Sequence, residues 1–191
     1  MKMTAIEKHF VNGPQHTARV ADRAVQLLER IDIQGARRYL DVGCGVGEAD
    51  WEVARRSGLE VTGVDVDPAQ IEIAQSHGAD PHVSFVAMDA TKLEFGDAEF
   101  DVVASSMMGH HLRDWEQALA EMIRVLRPGG HLIYTDLTFP SWFAATGRRL
   151  LPFVALPSAN RAETVASKAG LTKVFESRTG MRREFIWMKN G

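Results

Sequence analysis

The 191-residue sequence lacks the features that mark disulfide-built, membrane-spanning or nucleic-acid-binding proteins. It contains one cysteine, Cys44, so an intrachain disulfide cannot form. No run of about 18 apolar residues is present, which argues against a transmembrane helix. The formal net charge is −3, so no overall basic excess would attract nucleic acid. The segment Met1–His9 is mostly polar and has no signal-peptide core, which favours a cytoplasmic protein.

Helix-like and strand-like segments alternate along most of the chain. Apolar residues at helical spacing predict a first helix around His16–Ile31, and short β-branched runs predict buried strands. The predicted strands are Arg38–Val42, Leu59–Val66, Val83–Met88, Phe100–Met107, His131–Leu137, Leu171–Ser177 and Arg183–Met188. This alternation predicts a single α/β domain over residues 1–191, with a doubly wound, mostly parallel sheet covered on both faces.

Turn-forming residues mark the expected ends of the intervening helices. Asp67 is placed to cap the start of one helix, and Gly78 to cap its end. Asp114 and Gln117 have the spacing of a capping box at the start of another helix. Residues 128–130, Pro-Gly-Gly, are expected to stop that helix before the next strand begins.

The segment Thr138–Pro157, TFPSWFAATGRRLLPFVALP, interrupts the alternation. A connection of this length inside a compact domain is usually functional. We therefore expect residues 138–157 to be a substrate-side insertion, and residues 1–35 to be an N-terminal helical cap on the same side. Arg148 and Arg149 could clamp an acidic group or form a solvated face, and both interpretations stay open.

A glycine-rich turn follows the first predicted strand in YLDVGCGVGE, residues Tyr39–Glu48. Glycines at the carboxyl end of a strand let a ligand approach the backbone closely. The spacing is G-x-G-x-G, whereas the dinucleotide fingerprint G-x-G-x-x-G would place a glycine at Glu48. Glu48, Asp41 and Asp50 also put negative charge where a pyrophosphate would lie. The turn therefore suits a cationic ligand without phosphate, such as S-adenosylmethionine.

Two further acidic residues end neighbouring predicted strands. Asp65 ends the run LEVTGVD, and a carboxylate there can accept hydrogen bonds from both ribose hydroxyls. Asp89 ends VAMD, where a carboxylate can accept a hydrogen bond from an exocyclic amine. A simple turn role is the alternative for each of these residues.

Five motifs carry a family resemblance: YLDVGCGVGE, VTGVDVDP, VAMDA, FDVVASSMMGHHL and RVLRPGG. In this order they resemble the class I S-adenosylmethionine-dependent methyltransferases of the broad small-molecule group. The resemblance implies a seven-stranded sheet whose last strand is antiparallel, and S-adenosyl-L-methionine as the cofactor. It also implies cofactor contacts from Asp41, Gly43, Cys44, Gly45, Gly47, Asp65, Val66, Asp89, Ala90 and Ser105.

The resemblance assigns different parts of the cofactor to these residues. The glycines line its methionine part, which Ser105 also contacts through its backbone. Asp65 binds the ribose and Val66 packs on the adenine. Asp89 and Ala90 contact the edge of the adenine.

His110 and His111 follow the fourth predicted strand, where the transferred methyl group lies in the family that the chain resembles. A neutral imidazole there could accept a proton from a hydroxyl or an amine, so both are candidate catalytic residues. The alternative is that one of them packs or caps a helix, and whether a base is required stays open. Cys44, inside the turn, is expected to be a small filler and not a nucleophile.

The sequence thus predicts a methyltransferase acting on a small or amphipathic molecule by in-line methyl transfer. A non-catalytic S-adenosylmethionine-binding or regulatory protein is the main alternative, and Glu48 disfavours a third candidate, a nicotinamide-dependent dehydrogenase. No metal site is expected, because no residues have the spacing of metal ligands. No nucleic-acid partner is expected, because the sequence after the fourth predicted strand lacks the cysteine nucleophile that C5 methylation of nucleic acid requires. The identity of an apolar or acidic acceptor, the atom methylated, the oligomeric state and peripheral membrane contact stay open.

Overall fold

A computed structural model of the chain describes residues 13–140, residue 144 and residues 156–191. The helices are α1 Pro14–Leu28, α2 Glu48–Ser57, α3 Pro68–Ser76, α4 Trp115–Val125 and α5 Ala159–Lys168. The strands are β1 Arg38–Val42, β2 Glu60–Asp65, β3 Val83–Ala87, β4 Phe100–Ser106, β5 Leu126–Leu137, β6 Leu171–Thr179 and β7 Arg182–Lys189. A 3₁₀ turn, Gly109–His111, follows β4. Most of the expected insertion, with Arg148 and Arg149, lies outside the described residues.

The seven strands form one sheet in the order β3-β2-β1-β4-β5-β7-β6. Neighbouring strands from β3 to β5 are parallel, and β7 runs antiparallel to both β5 and β6. The prediction of a mostly parallel sheet with an antiparallel last strand is therefore confirmed. The strand order reverses beside β1, where Asp41 pairs with Gly63 of β2 and with Ala104 of β4. A ligand crevice is expected at the carboxyl ends of the strands at this switch point.

Helices cover both faces of the sheet, and alternate residues of the strands enter different cores. Leu40 of β1 belongs to the cluster that holds α4 and α5, with Leu119 and Trp187 among its members. Tyr39, one residue earlier, belongs to the opposite cluster, which packs α1 and α2 against the sheet. Burial on both faces explains why the central strands read as continuous apolar runs instead of alternating ones.

The prediction for residues 128–130 is wrong. Helix α4 ends at Val125 and β5 begins at once with Leu126, so the Pro-Gly-Gly sequence lies within the strand. The pairing of β5 with β4 shifts register between Phe100 and Val102, which accommodates the irregular start. A Cβ at Gly130 would lie 2.6 Å from the carbonyl oxygen of Asp101, so this glycine lets two strands approach closely.

The predicted helix caps are only partly observed. Asp67 caps α3 as predicted, because its Oδ1 accepts a hydrogen bond from the N–H of Ala69 at 3.2 Å. The same helix ends with His77 at its C-cap in a right-handed conformation, so the predicted cap by Gly78 is wrong. In the described structure the side chain of Asp114 makes no capping hydrogen bond at the start of α4. The capping box is therefore not formed, although its spacing is present.

Candidate functional site

A cavity of about 300 Å³ opens at the carboxyl ends of the parallel strands, beside the switch point between β1 and β4. Ten of the residues singled out in the sequence line it: Asp41, Gly43, Cys44, Gly45, Asp65, Val66, Asp89, Ala90, His110 and His111. Gly47 and Ser105 are not among the described residues that line the cavity. The fold thus brings together side chains from four separate segments of the chain.

The glycine turn between β1 and α2 has a left-handed backbone, with φ of 56° at Gly45 and 72° at Gly47. Apart from Gly45 itself and its two neighbours in the chain, no described residue has an atom within 4 Å of the position that a Cβ at Gly45 would occupy. A Cβ at Gly47 would instead overlap the ring of Phe85, at 2.6 Å. Gly45 therefore leaves space beside the backbone for a ligand, whereas Gly47 is required by the packing behind the turn.

Asp65 joins the end of β2 to this turn. Its Oδ2 accepts a hydrogen bond from the N–H of Gly45 at 3.1 Å, and its Oδ1 accepts one from the N–H of Asp67 at 2.9 Å. Two backbone donors therefore orient the carboxylate at the cavity wall. Val66 follows directly and is 47% exposed, so an apolar surface lies next to the carboxylate.

Acidic groups are crowded beneath the turn. Burial, and then the charge of Asp65, raise the pKa of Asp41 to about 7. Asp50 of α2 is 1% exposed, and within the described part of the chain neither of its carboxyl oxygens accepts a hydrogen bond from another residue. Burial, and then the charge of Asp41, raise the pKa of Asp50 well above its usual range. Positive charge in the cavity would therefore stabilise the ionised form of Asp41.

Cys44 lies between Gly43 and Gly45, beside the same acidic groups. Burial is the main cause that raises the pKa of its thiol well above the usual range, and the charge of Asp50 adds to it. A thiol that stays protonated is a poor nucleophile, which agrees with the interpretation of Cys44 as a filler.

Asp89 lies two residues after the end of β3, where it forms a turn and also lines the cavity. Its Oδ1 accepts hydrogen bonds from both the N–H and the hydroxyl of Thr91, each at 2.8 Å. These bonds, the backbone one first, lower the pKa of Asp89. The turn that the sequence offered as an alternative is therefore formed, yet Asp89 and Ala90 both line the cavity.

The end of β4 places its two serines differently. The hydroxyl of Ser105 is buried and donates a hydrogen bond to the carbonyl oxygen of Val42 at 2.8 Å, which ties β4 to β1. The next residue, Ser106, lines the cavity. Met107 follows with φ of 57°, a strained conformation for a side chain of this size.

A buried carboxylate lies behind His110. Nδ1 of His110 is 2.6 Å from Oδ1 of Asp136, which is only 1% exposed. The Tyr134 hydroxyl donates to Oδ2 of the same carboxylate at 3.0 Å, and the N–H of Leu137 donates to Oδ1 at 2.8 Å. Asp136 was not among the residues predicted from the sequence, although an aspartate inside the apolar run HLIYTDL was a signal for it.

Helix α1 forms one wall of the cavity through His16, Thr17 and Val20. Arg23 of this helix pairs with Glu184 of β7, with Nε and Oε1 2.8 Å apart. The hydrogen bond from Arg23 lowers the pKa of the buried Glu184 and raises the pKa of Arg23 itself. This ion pair fixes α1 to the sheet, and the sequence patterns gave no indication of it.

The described residues contain neither a cluster of metal ligands nor a helix that could span a membrane. Within residues 13–140 and 156–191, no group of three His, Cys, Asp or Glu side chains is arranged to hold a metal ion. The described helices include none with the length and apolar character needed to cross a bilayer.

Comparison with known proteins relates the chain to methyltransferases. Residues 40–134 match the model of a family described as a methyltransferase domain. The chain is 40% identical over 116 residues to methyltransferase GfsG of Streptomyces halstedii, covering 59% of this chain and 42% of that protein. It is 36% identical over 130 residues to 27-O-demethylrifamycin SV methyltransferase of Amycolatopsis mediterranei, covering 65% of this chain and 47% of that protein.

The chain therefore spans less than half the length of these two relatives. Among solved structures, that of the (4+2)-cyclase SpnF superposes with a TM-score of 0.76, covering 92% of this chain and 82% of that one. Its sequence identity is 22%, so this likeness concerns the fold.

Proposed function

The chain belongs to the class I S-adenosylmethionine-dependent methyltransferases, and we propose that it transfers a methyl group from S-adenosylmethionine to a small or amphipathic organic acceptor. The observation that carries this proposal is the convergence of Asp41, Asp65 and the open backbone at Gly45 on one cavity. The two curated relatives described above are methyltransferases by name, which supports the same activity.

The residues of the cavity fit the cofactor. When bound, S-adenosylmethionine supplies an electrophilic methyl group on a cationic sulfur, together with an ammonium group and an adenosine. Asp41, Glu48 and Asp65 line the cavity and favour positive charge. None of the described lining residues is lysine or arginine, so a pyrophosphate would meet no cationic side chain there. This composition disfavours a nicotinamide dinucleotide.

Each lining segment has a proposed part in cofactor binding. Asp65, fixed by two backbone donors, accepts the ribose hydroxyls, and the exposed Val66 covers one face of the adenine. Asp89 and Ala90 contact the adenine edge. Asp41 and the backbone of the glycine turn, with Cys44 as a filler, surround the methionine part, while Gly47 and Ser105 support that wall from behind.

The acceptor side of the cavity lies between α1 and the segment that follows β4. Val20, Met108 and Leu112 give it an apolar lining, and His110 and His111 add polar groups. The chain's part in methyl transfer is to align the acceptor with the methyl group and to exclude water. We propose that the insertion at residues 138–157 completes this side of the cavity. Its residues from 141 to 155 lie outside the described ones, except Ala144.

A non-catalytic cofactor-binding protein is the second candidate. SpnF is named as a cyclase, and its fold superposes on this chain, so the fold alone does not establish methyl transfer. Catalytic turnover of an acceptor is the property that separates the two candidates.

Calorimetry and a turnover screen test the proposed function. We expect S-adenosylmethionine and S-adenosylhomocysteine to bind with micromolar or tighter affinity, and NAD not to bind. A metabolite library assayed for release of S-adenosylhomocysteine should then reveal an acceptor. Binding of NAD in preference to S-adenosylhomocysteine would contradict the proposal. Binding of S-adenosylhomocysteine without turnover across the library would support the second candidate.

A further inference from the structure

We propose that the acceptor is an aromatic compound, and that its ring packs against Met108, which separates it from the methionine part of the cofactor. This inference rests on the proposed function, because it assumes that the cavity holds a sulfonium methyl donor beside the glycine turn. It names the chemical class of the acceptor and adds Met108 as a specificity-determining residue. It applies whichever atom of the acceptor is methylated.

Met108 packs directly on the glycine turn. A Cβ at Gly43 would lie 2.7 Å from Cγ and 2.8 Å from Cβ of Met108, which is closer than non-bonded carbon atoms approach. Among the described residues other than Gly43 and its two chain neighbours, Met108 alone has atoms within 4 Å of that position. The missing side chain of Gly43 therefore provides the space into which Met108 packs.

The backbone on either side of Met108 is fixed by hydrogen bonds. The N–H of Met107 donates to the carbonyl oxygen of Thr135 in β5 at 2.8 Å, and the N–H of His111 donates to the carbonyl oxygen of Met108 at 3.0 Å. Between these bonds Met107 has its left-handed φ of 57°. Strain of this kind persists where the surrounding structure enforces it, and it is concentrated at ligand sites. The fold thus holds Met108 in one place at the end of β4.

Met108 lies between the two parts of the cavity. It contacts Gly43, which belongs to the turn assigned to the methionine part of the cofactor. The chain then continues into His111 and Leu112, which line the acceptor side. A side chain in this place touches both ligands where the methyl group is transferred. Its shape therefore determines how closely the acceptor approaches the methyl group, on which the rate of transfer depends.

Thioether side chains are concentrated in this cavity. Three of the eight methionines of the chain, Met88, Met107 and Met108, are among its described lining residues. A methionine sulfur is polarisable and makes favourable contacts with aromatic rings, and the unbranched side chain adapts to a flat surface. The rings of His110 and His111, with centroids 4.0 Å apart, continue the same wall. A saturated ring offers apolar area but no sulfur–aromatic contact, so this wall favours an aromatic acceptor.

The acidic side chains of the cavity lie on the cofactor side. Asp41 precedes the glycine turn, Glu48 begins α2 and Asp65 ends β2. On the acceptor side, Val20 and Leu112 bring no charge. An acidic substituent on the acceptor would meet no lysine or arginine among the described lining residues. The acceptor is therefore held mainly through the apolar surface of its ring.

The first test observes Met108 itself and does not depend on turnover. The full chain, labelled with ¹³C at its methionine methyl groups and saturated with S-adenosylhomocysteine, is titrated with 2-naphthol or with decahydro-2-naphthol, its saturated counterpart. The Met108 signal is assigned by its loss in Met108→Leu. We expect a ring-current shift of this signal with 2-naphthol that the saturated compound does not produce. Met122, which is buried in the core, is the internal control and should not shift. An unshifted Met108, or equal shifts with both compounds, would overturn the inference.

The second test measures the affinities of both compounds by calorimetry, with S-adenosylhomocysteine present. Met108→Leu keeps the apolar volume but removes the sulfur, so it should reduce the ratio of the affinity for 2-naphthol to that for decahydro-2-naphthol by about 2–10-fold. The comparison of ratios between variants cancels the different hydrophobicities of the two compounds. Met122→Leu makes the same change in the core and should leave the ratio unaltered.

Affinity for S-adenosylhomocysteine should change by less than about threefold in both variants, which is below 1 kcal/mol. An unchanged ratio in Met108→Leu, tighter binding of the saturated compound by the unmodified chain, or binding of neither compound would overturn the assignment of an aromatic acceptor. Failure of the unmodified chain to bind S-adenosylhomocysteine would instead contradict the proposed function.

Discussion

The carboxylate of Asp65 and the backbone N–H of Gly45 are joined by a hydrogen bond of 3.1 Å, which links the end of β2 to the turn after β1. The same carboxylate is proposed to receive the ribose, so one side chain shapes the turn and binds the ligand. Its removal should therefore affect cofactor binding in two ways at once.

Asp65→Ala should weaken binding of S-adenosylhomocysteine by about 2–4 kcal/mol, because two hydroxyls lose a charged acceptor. Calorimetry measures the change. Asp32→Ala is the matched control, since Asp32 is an exposed carboxylate that accepts from the N–H of Gln34 and does not line the cavity. Equal affinity of Asp65→Ala and the unmodified chain would show that Asp65 does not bind the ribose.

Alanine at Gly45 and at Gly47 should have different effects, although both residues have positive φ. At Gly45 the added methyl enters open space, so stability should fall by only ~1 kcal/mol from the backbone, while cofactor affinity falls at least ~10-fold. At Gly47 the methyl overlaps Phe85, and overpacking should cost a further ~1–3 kcal/mol of stability. Chemical denaturation and calorimetry separate these effects, and a larger loss of stability at Gly45 would refute the assignment.

The contribution of Asp41 to the stability of the ligand-free chain should decrease as pH rises from 4 to 7. The pKa of Asp41 is raised to about 7 in the fold, against about 3.9 for an unfolded aspartate. Between these values the folded chain binds a proton that the unfolded chain has lost, so Asp41 contributes a decrease of ~1.4 kcal/mol per pH unit. Asp50→Asn, which removes the neighbouring acid, should stabilise the chain at pH 8 more than at pH 5. Urea denaturation at both pH values checks this, and equal effects at both would contradict it.

Cofactor affinity should change with pH in the opposite direction. An ammonium or sulfonium near Asp41 favours the ionised form of its carboxyl group. Binding at pH 6 must therefore release the proton of Asp41, whereas at pH 8 Asp41 has already lost this proton before binding. We expect S-adenosylmethionine to bind more tightly at pH 8, with heats at pH 6 that depend on the ionisation enthalpy of the buffer. Asp41→Asn should remove most of this dependence, although Asp65 and Asp50 remain nearby. Heats that are independent of the buffer at pH 6 would rule out proton release.

The two ends of the insertion lie next to each other in the fold. The N–H of Phe139 donates to the carbonyl oxygen of Pro157 at 2.8 Å, so the two ends of the segment are already adjacent. Replacement of residues 141–155 by a short Gly-Ser linker should preserve binding of S-adenosylhomocysteine and abolish turnover of the acceptor. A linker of scrambled insertion sequence is the control for length. Full turnover in either variant would show that the insertion plays no part at the acceptor side.

The sequence predicted the features that depend on local patterns. The apolar runs located all seven strands, and Asp67 was identified correctly as a cap because its bond spans only two residues. Features that depend on distant residues were not predictable in this way. His110 and Asp136 lie 26 residues apart and meet because β4 and β5 pair in parallel.

The same limit applies to finer details of the fold and of the cavity. Whether Ser105 or Ser106 lines the cavity depends on the orientation of the last residues of β4, which a run of apolar residues does not define. The register shift that absorbs residues 128–130 into β5 depends on the neighbouring strand and not on the Pro-Gly-Gly sequence itself. The left-handed Met107 has no sequence signal, since glycine is the residue expected there.

The position of β7 has a consequence for how the protein is made. This strand leaves the ribosome after β6, yet it lies between β5 and β6, and its Glu184 holds α1 through Arg23, 161 residues earlier. A nascent chain that ends before residue 182 therefore lacks both the partner of β5 and the anchor for one wall of the cavity. We expect ribosome-stalled chains of this length not to retain S-adenosylhomocysteine, and chains extended past residue 189 by a linker to retain it. On this view the nascent chain acquires its cofactor only after β7 has been made, so cofactor supply cannot assist the earlier steps of folding.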